Sequence, residues 1–236
     1  MKIEKTEVYG WRASIIRAMR NPKNSWDKSD SFFWYNSPHY TKIPPNDIVP
    51  WNKNIFVPEC PFLGPNDIKL AKSLIKGGSE HRKFLRSIMI WVDLSLPRSV
   101  WTEVDTYKVS TVRNSCSTMH KMGHSDVDLT DFDFVSPPEK YGNELVKKFN
   151  ILKDAILDYM NEGGAKYRES KDFNIVRSMK SINPEGFIQK ATYTFNYETA
   201  LSWIRQRKNH RLPEWNTHIM NWLYELPYVK EFTDGI

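Results

Sequence analysis

Apolar and polar positions recur along the chain with two periods, and these lay out most of its elements. In "PNDIKLAKSLIKGG" the residues Ile68, Ala71, Leu74 and Ile75 fall at helical spacing, which predicts a helix with Asn66 or Asp67 as N-cap and Gly77 at its end. The next run, "RSIMIWVDLSL", is rich in β-branched residues at near period 2 and reads as a strand. Pro97 follows at a position where a helix can begin, so "PRSVWTEVDTYKV" is its helical sequel. A long amphipathic helix is expected over "NELVKKFNILKDAILDYMNEGG", where Leu145, Phe149, Leu152, Ile156 and Tyr159 share a face before Gly163. Downstream, "NPEGFIQKATYTF" is a turn and a strand, Asn196 caps "YETALSWIRQR", and Pro213 opens a last helix that Pro227 stops.

Residues at about 20–66 break this regularity. They are dense in proline and aromatic rings without a period, which predicts irregular structure wrapped on a core rather than a linker. Helices mixed with a few strands, without repeats, give an α+β class and not a doubly wound sheet. One domain over 1–236 is the expectation for a chain of this length.

Composition narrows the setting. Two cysteines, Cys60 and Cys116, are too few for a disulfide framework, and no charged-then-apolar leader opens the chain, so a reducing, cytoplasmic location is expected. The apolar stretch "IMIWVDLSL" is interrupted by Asp93 and falls short of the ~20 residues a spanning helix needs, so no membrane association is expected. A formal charge of +6 favours anionic partners, although solvated lysines alone account for many basic chains.

The candidate chemistry is sparse. No Gly-rich phosphate loop, Cys-x-x-Cys pair or His-Glu-x-x-His appears. Asp126, Asp128, Asp131 and Asp133 lack the glycine and terminal glutamate of a calcium loop, so a solvated loop is the better reading and no metal is expected. The stretch "VSTVRNSCSTMHK", residues 109–121, offers Ser115, Cys116, Ser117 and His120 to a nucleophile-and-base reading. Serine and histidine three apart are a common accident, and hydroxyls beside Lys108, Arg113 and Lys121 suit anion binding at least as well. In "RQRKNHR", residues 205–211, cations complement a helix C-terminus, which explains most of them. Arg207 stands apart, because Asn196, Thr199 or Ala200, Trp203 and Arg207 form one helical stripe and an arginine on that inward face needs a polar or anionic partner.

With these runs in order, the chain resembles the flavin-dependent thymidylate synthases. The resemblance rests on "SEH", "SIMIWVDLSLPRSVWTEVDTYK" and "VSTVRNSCSTMH", and more specifically on "INPEGFIQKATYTFNYETALSWIRQR", which follows the family without gaps from Pro184 through Asn196 to Arg207. Thr106-Tyr107-Lys108 stands where that family has Arg-His-Arg, Glu103 where it has glutamine, and Ser117-x-Met119 where it has Ser-x-Arg.

The resemblance implies a mixed or antiparallel sheet with long helices. It also implies conversion of dUMP to dTMP with methylene-tetrahydrofolate and reduced FAD, NADPH regenerating the flavin, in a homotetramer of a phage or bacterial setting. Carried residue by residue, it implies His81, Tyr107, Lys108, Asn196 and Ser202 on the flavin side, and Glu103, Ser117, Lys180 and Arg207 on the nucleotide side. Arg207 would stabilise charge on the uracil ring, with Ser117 beside the pyrimidine. Two rivals are kept: a relative acting on another pyrimidine nucleotide, since glutamate lacks the amide donor of glutamine, and a non-catalytic nucleotide- or nucleic-acid-binding module.

Overall fold

The computed structural model describes residues 1–35, 55–116, 126–133, 139–162 and 180–234. The fold is α+β. A five-stranded sheet has the order β3-β1-β5-β7-β6, from β1 (Lys2–Tyr9), β3 (Ile55–Phe56), β5 (Met89–Pro97), β6 (Val112–Ser115) and β7 (Ile188–Asn196). Within it β1 and β3 run parallel, Thr6 opposite Ile55. A second sheet pairs β2 (Phe32–Tyr35) antiparallel with β4 (Glu59–Phe62), Phe32 facing Phe62 with rings stacked at 4.6 Å.

Contacts divide the chain into two compact units, one of Met1–Lys2, Ser95–Thr106 and Asn114–Ala191, the other of Ile3–Leu94, Tyr107–Arg113 and Thr192–Ile236. In the first, α2 (Arg98–Val104) and α3 (Glu139–Glu162) accompany a small core of Val127, Phe132 and Phe149. The Trp101 indole there donates to Gln189 O at 2.8 Å. In the second, α1 (Pro65–Lys76), α4 (Tyr197–Arg207), a helical run of a π turn (Glu214–Ile219) and α5 (Met220–Glu225), and α6 (Val229–Thr233) accompany a core thick with rings. Among the described residues no helix is long and apolar enough to cross a membrane.

The period-2 reading of the central strands is met. Ile90, Val92, Leu94 and Leu96 of β5 are buried, with Trp91 exposed between the first two, and so are Ala191, Tyr193 and Phe195 of β7, with half-buried Thr192 and Thr194 between them. The long helix also forms where its apolar stripe predicts, and Phe149 is buried. The side chains of Ile156 and Tyr159, and Gly163, lie outside the described residues.

Three expectations need correction. The helix after Pro97 stops at Val104, because Thr106 turns both its amide and its hydroxyl onto Glu103 O, at 3.2 and 2.7 Å. The described part of 20–66 is not only irregular, since it supplies β2, β3 and β4. The N-cap of α1 is Gly64, not Asn66 or Asp67.

The α1 correction has a clear cause. The Asp67 carboxylate is fully buried and accepts from Arg20 Nε at 2.6 Å, Ser29 Oγ at 2.6 Å and Ser31 Oγ at 2.5 Å. Asp30 takes over the cap, accepting from the amides of Asn66 and Asp67 at 2.9 and 3.1 Å. Gly64 admits it, because a Cβ there would collide with the Asp30 side chain. The polar segment before β2 is thus clamped to α1 by one buried ion pair and its hydroxyls.

Removing one partner leaves the other charge buried and uncompensated. Asp67→Ala is expected to lower the unfolding free energy by about 3–5 kcal/mol in a urea titration. A loss under about 1 kcal/mol, typical of an exposed pair, would contradict this reading.

Candidate functional site

The junction between β7 and α4 sets the site. Asn196, the last residue of β7, is extended and 2% exposed, and its side-chain oxygen accepts from Thr199 N at 3.0 Å and Thr199 Oγ1 at 3.2 Å. That cap satisfies one of the free amides at the helix start and fixes the phase of all that follows. Ala200 and Trp203 are fully buried one and two turns on, and Arg207 closes the same stripe, half-buried.

The partner that this stripe requires for Arg207 is Tyr107. Arg207 Nε donates to the Tyr107 hydroxyl at 3.1 Å, while that hydroxyl donates its own proton to Gln206 Oε1 at 3.0 Å. Arg207 Nη1 lies 2.9 Å from His210 Nε2, and its guanidinium carbon sits 5.2 Å from the Trp215 ring centroid and 5.9 Å from that of Tyr107. Cation–π and hydrogen-bond contacts together hold the planar head in one orientation. Tyr107 is in turn held through its own carbonyl, which accepts from Thr111 Oγ1 at 2.7 Å.

A different face of α4 carries Glu198, Ser202 and Arg205, spaced i, i+4 and i+7. Glu198 takes Arg82 Nε on one carboxylate oxygen at 3.1 Å and Arg86 Nε on the other. Burial pushes the Glu198 carboxyl up, but Arg86 and Arg82 outweigh it and hold it below the usual carboxylate range. The Ser202 hydroxyl donates to Glu198 O at 3.0 Å. Arg205 Nε is buried without a hydrogen-bond partner among the described residues.

The sequence-derived candidates distribute as follows. Tyr107 and Arg207 are brought into direct contact. Asn196 is the helix cap and Ser202 lies on the Glu198 face. His81 is exposed, with its ring against Gly77, and Lys108 is exposed beside Tyr107 in sequence. Glu103, half-buried in α2, and Lys180, exposed, belong to the first unit. Ser117, Met119 and His120 lie outside the described residues.

The stretch 109–121 is partly a strand: Val112–Ser115 form β6, and Cys116 N donates to Lys190 O at 3.0 Å. Within the acidic loop, Asp128 accepts from Thr130 N and Asp131 from Asp128 N, while Asp126 pairs with Lys153. Arg82, Arg86, Arg205, Gln206 and Trp215 were not singled out as site residues from the sequence. Their local signals are the density of cations in "EHRKFLR" for Arg82 and Arg86, whose partner lies 116 and 112 positions away, and the "RQRKNHR" run for Arg205 and Gln206.

No protein-family model matches the chain, and no curated protein matches it in sequence. Solved structures do match. Two crystal structures of flavin-dependent thymidylate synthase from Helicobacter pylori, each with FAD and dUMP, superpose with a TM-score of 0.59 at 13% identity. Both cover 99% of this chain, and 97% and 96% of their own. At that identity the likeness shows the fold: this chain has the fold of the flavin-dependent thymidylate synthases.

The depressed Glu198 carboxyl has a consequence for stability against pH. A lowered folded-state value contributes stability that is complete above the unfolded value, near pH 4.5, and is lost as pH falls through the folded one. The melting temperature is therefore expected to fall more steeply below about pH 4.5 in the native protein than in Glu198→Gln. Parallel acid profiles for the two proteins would contradict it.

Proposed function

We propose that the chain is a divergent flavin-dependent thymidylate synthase, converting dUMP to dTMP with methylene-tetrahydrofolate as one-carbon donor, FAD as flavin and NADPH as reductant. The observation that carries the reading is the Arg207 constellation. A permanently charged guanidinium, fixed by Tyr107, His210 and Trp215, ends the helix capped by Asn196, within a fold shared with proteins crystallised with FAD and dUMP.

The donor set also suits a flavin dinucleotide. Cations for its phosphates are available at Arg82, Arg86 and Arg205, the last with a buried donor lacking a partner among the described residues, and Tyr107 offers a ring and a hydroxyl. When bound, the flavin supplies the reducing equivalents that carry the transferred carbon to the methyl level. The residues that would hold it are His81, Tyr107, Lys108, Asn196 and Ser202.

The protein's own part is binding and electrostatics. Arg207 faces the uracil and stabilises negative charge as it develops on the ring, a role suited to a head that needs no reorganisation. Tyr107 acts as a positioning residue for Arg207, and Asn196 positions both through the helix it caps. By the family resemblance, Glu103, Ser117 and Lys180 are the further residues proposed for the nucleotide side. Lys108 retains the charge of an arginine without the bidentate fork, so its phosphate contact is weaker. The proposal includes action of 1–236 as one catalytic domain and assembly as a homotetramer.

Arg207→Ala is expected to abolish dTMP formation while leaving the far-ultraviolet circular dichroism unchanged. Tyr107→Phe removes one hydrogen bond to a charged group, about 1.5–3 kcal/mol, so kcat is expected to fall roughly 10- to 100-fold. Unchanged turnover of dUMP in Arg207→Ala would overturn the assignment. Turnover of dCMP but not dUMP by the native protein would replace the substrate with another pyrimidine nucleotide.

A further inference from the structure

The connection between α4 and the π turn holds a hydrogen-bonding conflict beside Arg207. His210 sits in it, half-buried, with its amide donating to Arg207 O at 2.9 Å and its carbonyl accepting from Asn216 Nδ2 at 2.9 Å. Its ring lies edge-on to Trp215, with centroids 6.4 Å apart. So held, the two ring nitrogens face defined groups. Nδ1 is the acceptor for Leu212 N at 3.3 Å, and Nε2 lies 2.9 Å from Arg207 Nη1.

Both of these neighbours are donors. A guanidinium carries N–H groups and no acceptor, and Leu212 is itself held by its carbonyl, which accepts from Trp215 N and Asn216 N, each at 3.1 Å. A neutral imidazole has one N–H and one lone pair, and an imidazolium has two N–H groups, so neither form accepts at both nitrogens. With its proton on Nδ1, the ring accepts from Arg207 and sets a donor against Leu212 N. With its proton on Nε2, it accepts from Leu212 N and sets a donor against Arg207. The contact to Arg207 is the shorter and is charge-assisted, so it favours the Nδ1–H ring in the unliganded protein.

A ligand oxygen beside the pair removes the conflict. Two nitrogens 2.9 Å apart can both reach one oxygen at ordinary hydrogen-bond length. Nε2–H and an Arg207 N–H then donate to that oxygen while Nδ1 takes the Leu212 amide. The ring changes tautomer only: the Nδ1 proton leaves to water and another arrives at Nε2, with no net uptake. The rings of Trp215 and Tyr107 flank the guanidinium at 5.2 and 5.9 Å, which suits an oxygen carried on a flat ring.

We propose that His210 is a second donor of the Arg207 site: its Nε2 proton and an Arg207 N–H meet at one carbonyl oxygen of a ligand's ring, and binding switches the imidazole from the Nδ1–H to the Nε2–H tautomer. That the ring is a uracil rests on the proposed function; the paired donors rest on the two contacts of the imidazole. In that reaction the same oxygen gains negative charge, so His210 shares its stabilisation with Arg207.

Two substitutions divide the ring between its nitrogens. His210→Asn places an oxygen near Nδ1 and keeps an acceptor for Leu212 N, without the Nε2 donor. His210→Gln places an amide nitrogen near Nε2 and keeps the donor. Both variants and the native protein are titrated calorimetrically with dUMP and with base-free deoxyribose phosphate, in the presence of FAD. Nitrogen NMR of the isotope-labelled native protein reports the tautomer with and without dUMP. His210→Asn is expected to melt at the native temperature, to lose about 2- to 10-fold in dUMP affinity and about 100-fold in kcat for dTMP formation, and to bind the base-free phosphate unchanged. His210→Gln should retain most of the dUMP affinity. The His210 signal, identified by its loss in His210→Asn, should move from the Nδ1–H to the Nε2–H pattern when dUMP is added.

The outcomes separate the donor pair from the thymidylate reading. dUMP affinity and tautomer that respond in this way, with no dTMP formed, support the donor pair and overturn the thymidylate reaction. Equal dUMP binding by the native protein and His210→Asn, weaker binding by His210→Gln than by His210→Asn, or a tautomer unmoved by dUMP overturns the donor pair and leaves the thymidylate reading intact. Loss of dUMP and base-free phosphate together in His210→Asn makes His210 a structural residue and also overturns the proposal. No binding of dUMP by the native protein overturns both.

Discussion

The hydrogen bond from Thr199 N to the side chain of Asn196 fixes where β7 ends and α4 begins, and with it the rotation of every side chain on that helix. Because the helical period is 3.6, one cap assigns Ala200, Trp203 and Arg207 to the buried stripe and Glu198, Ser202 and Arg205 to another face. Shifting the start of the helix by one residue would turn Arg207 through about 100° and separate it from Tyr107 and Trp215. The two cationic features of the second unit are therefore consequences of a single local constraint. They differ in what satisfies them: Arg207 has rings and a hydroxyl, whereas Glu198 on the other face is paired with Arg82 and Arg86.

Rigidity around that junction comes from rings. Phe195 stacks on Trp203 at 4.8 Å, Trp203 meets Trp215 edge-on at 5.3 Å, and Tyr107 packs within 5.7 Å of Trp203. Aromatic pairs of this kind add about 0.5–1.5 kcal/mol each beyond area burial, and the large planar groups resist small displacements. The indole nitrogens of Trp203 and Trp215 are buried without hydrogen-bond partners among the described residues, so what these rings contribute there is packing. A second group, Trp11 with Tyr197 at 5.0 Å and Phe84 with Phe232 at 6.4 Å, serves the start of α4 in the same way. The abundance of aromatic residues in the sequence thus has a direct structural use.

What could be read from the chain was what is determined locally. The cap at Asn196, the stripe to Arg207, the alternation of β5 and β7 and the long helix before Gly163 each depend on residues within a turn or two, and the pattern carries them. The strand β1, "KIEKTEVY", was missed because it buries only Thr6 and Val8 and reads as polar. The cap of α1 was misassigned because Asp30, 36 and 37 residues from the amides it meets, displaces the nearer Asn66 and Asp67. The same limit applies to the site. The need of Arg207 for a polar partner followed from helical phase, but its partner, Tyr107, is 100 positions away. Likewise Arg82 and Arg86 join Glu198 across more than a hundred residues, so their cluster was invisible where His81 beside it was not.

The proposed function requires this fold, with Arg207 fixed at the end of α4, to hold a flavin over a pyrimidine nucleotide. The most direct measurement is the visible absorption spectrum of the purified protein, recorded alone, after adding excess FAD, and again after adding dUMP. The account predicts a protein-bound flavin band whose position or intensity shifts when dUMP is added. No bound flavin at any FAD concentration, or a flavin band indifferent to dUMP, would contradict it.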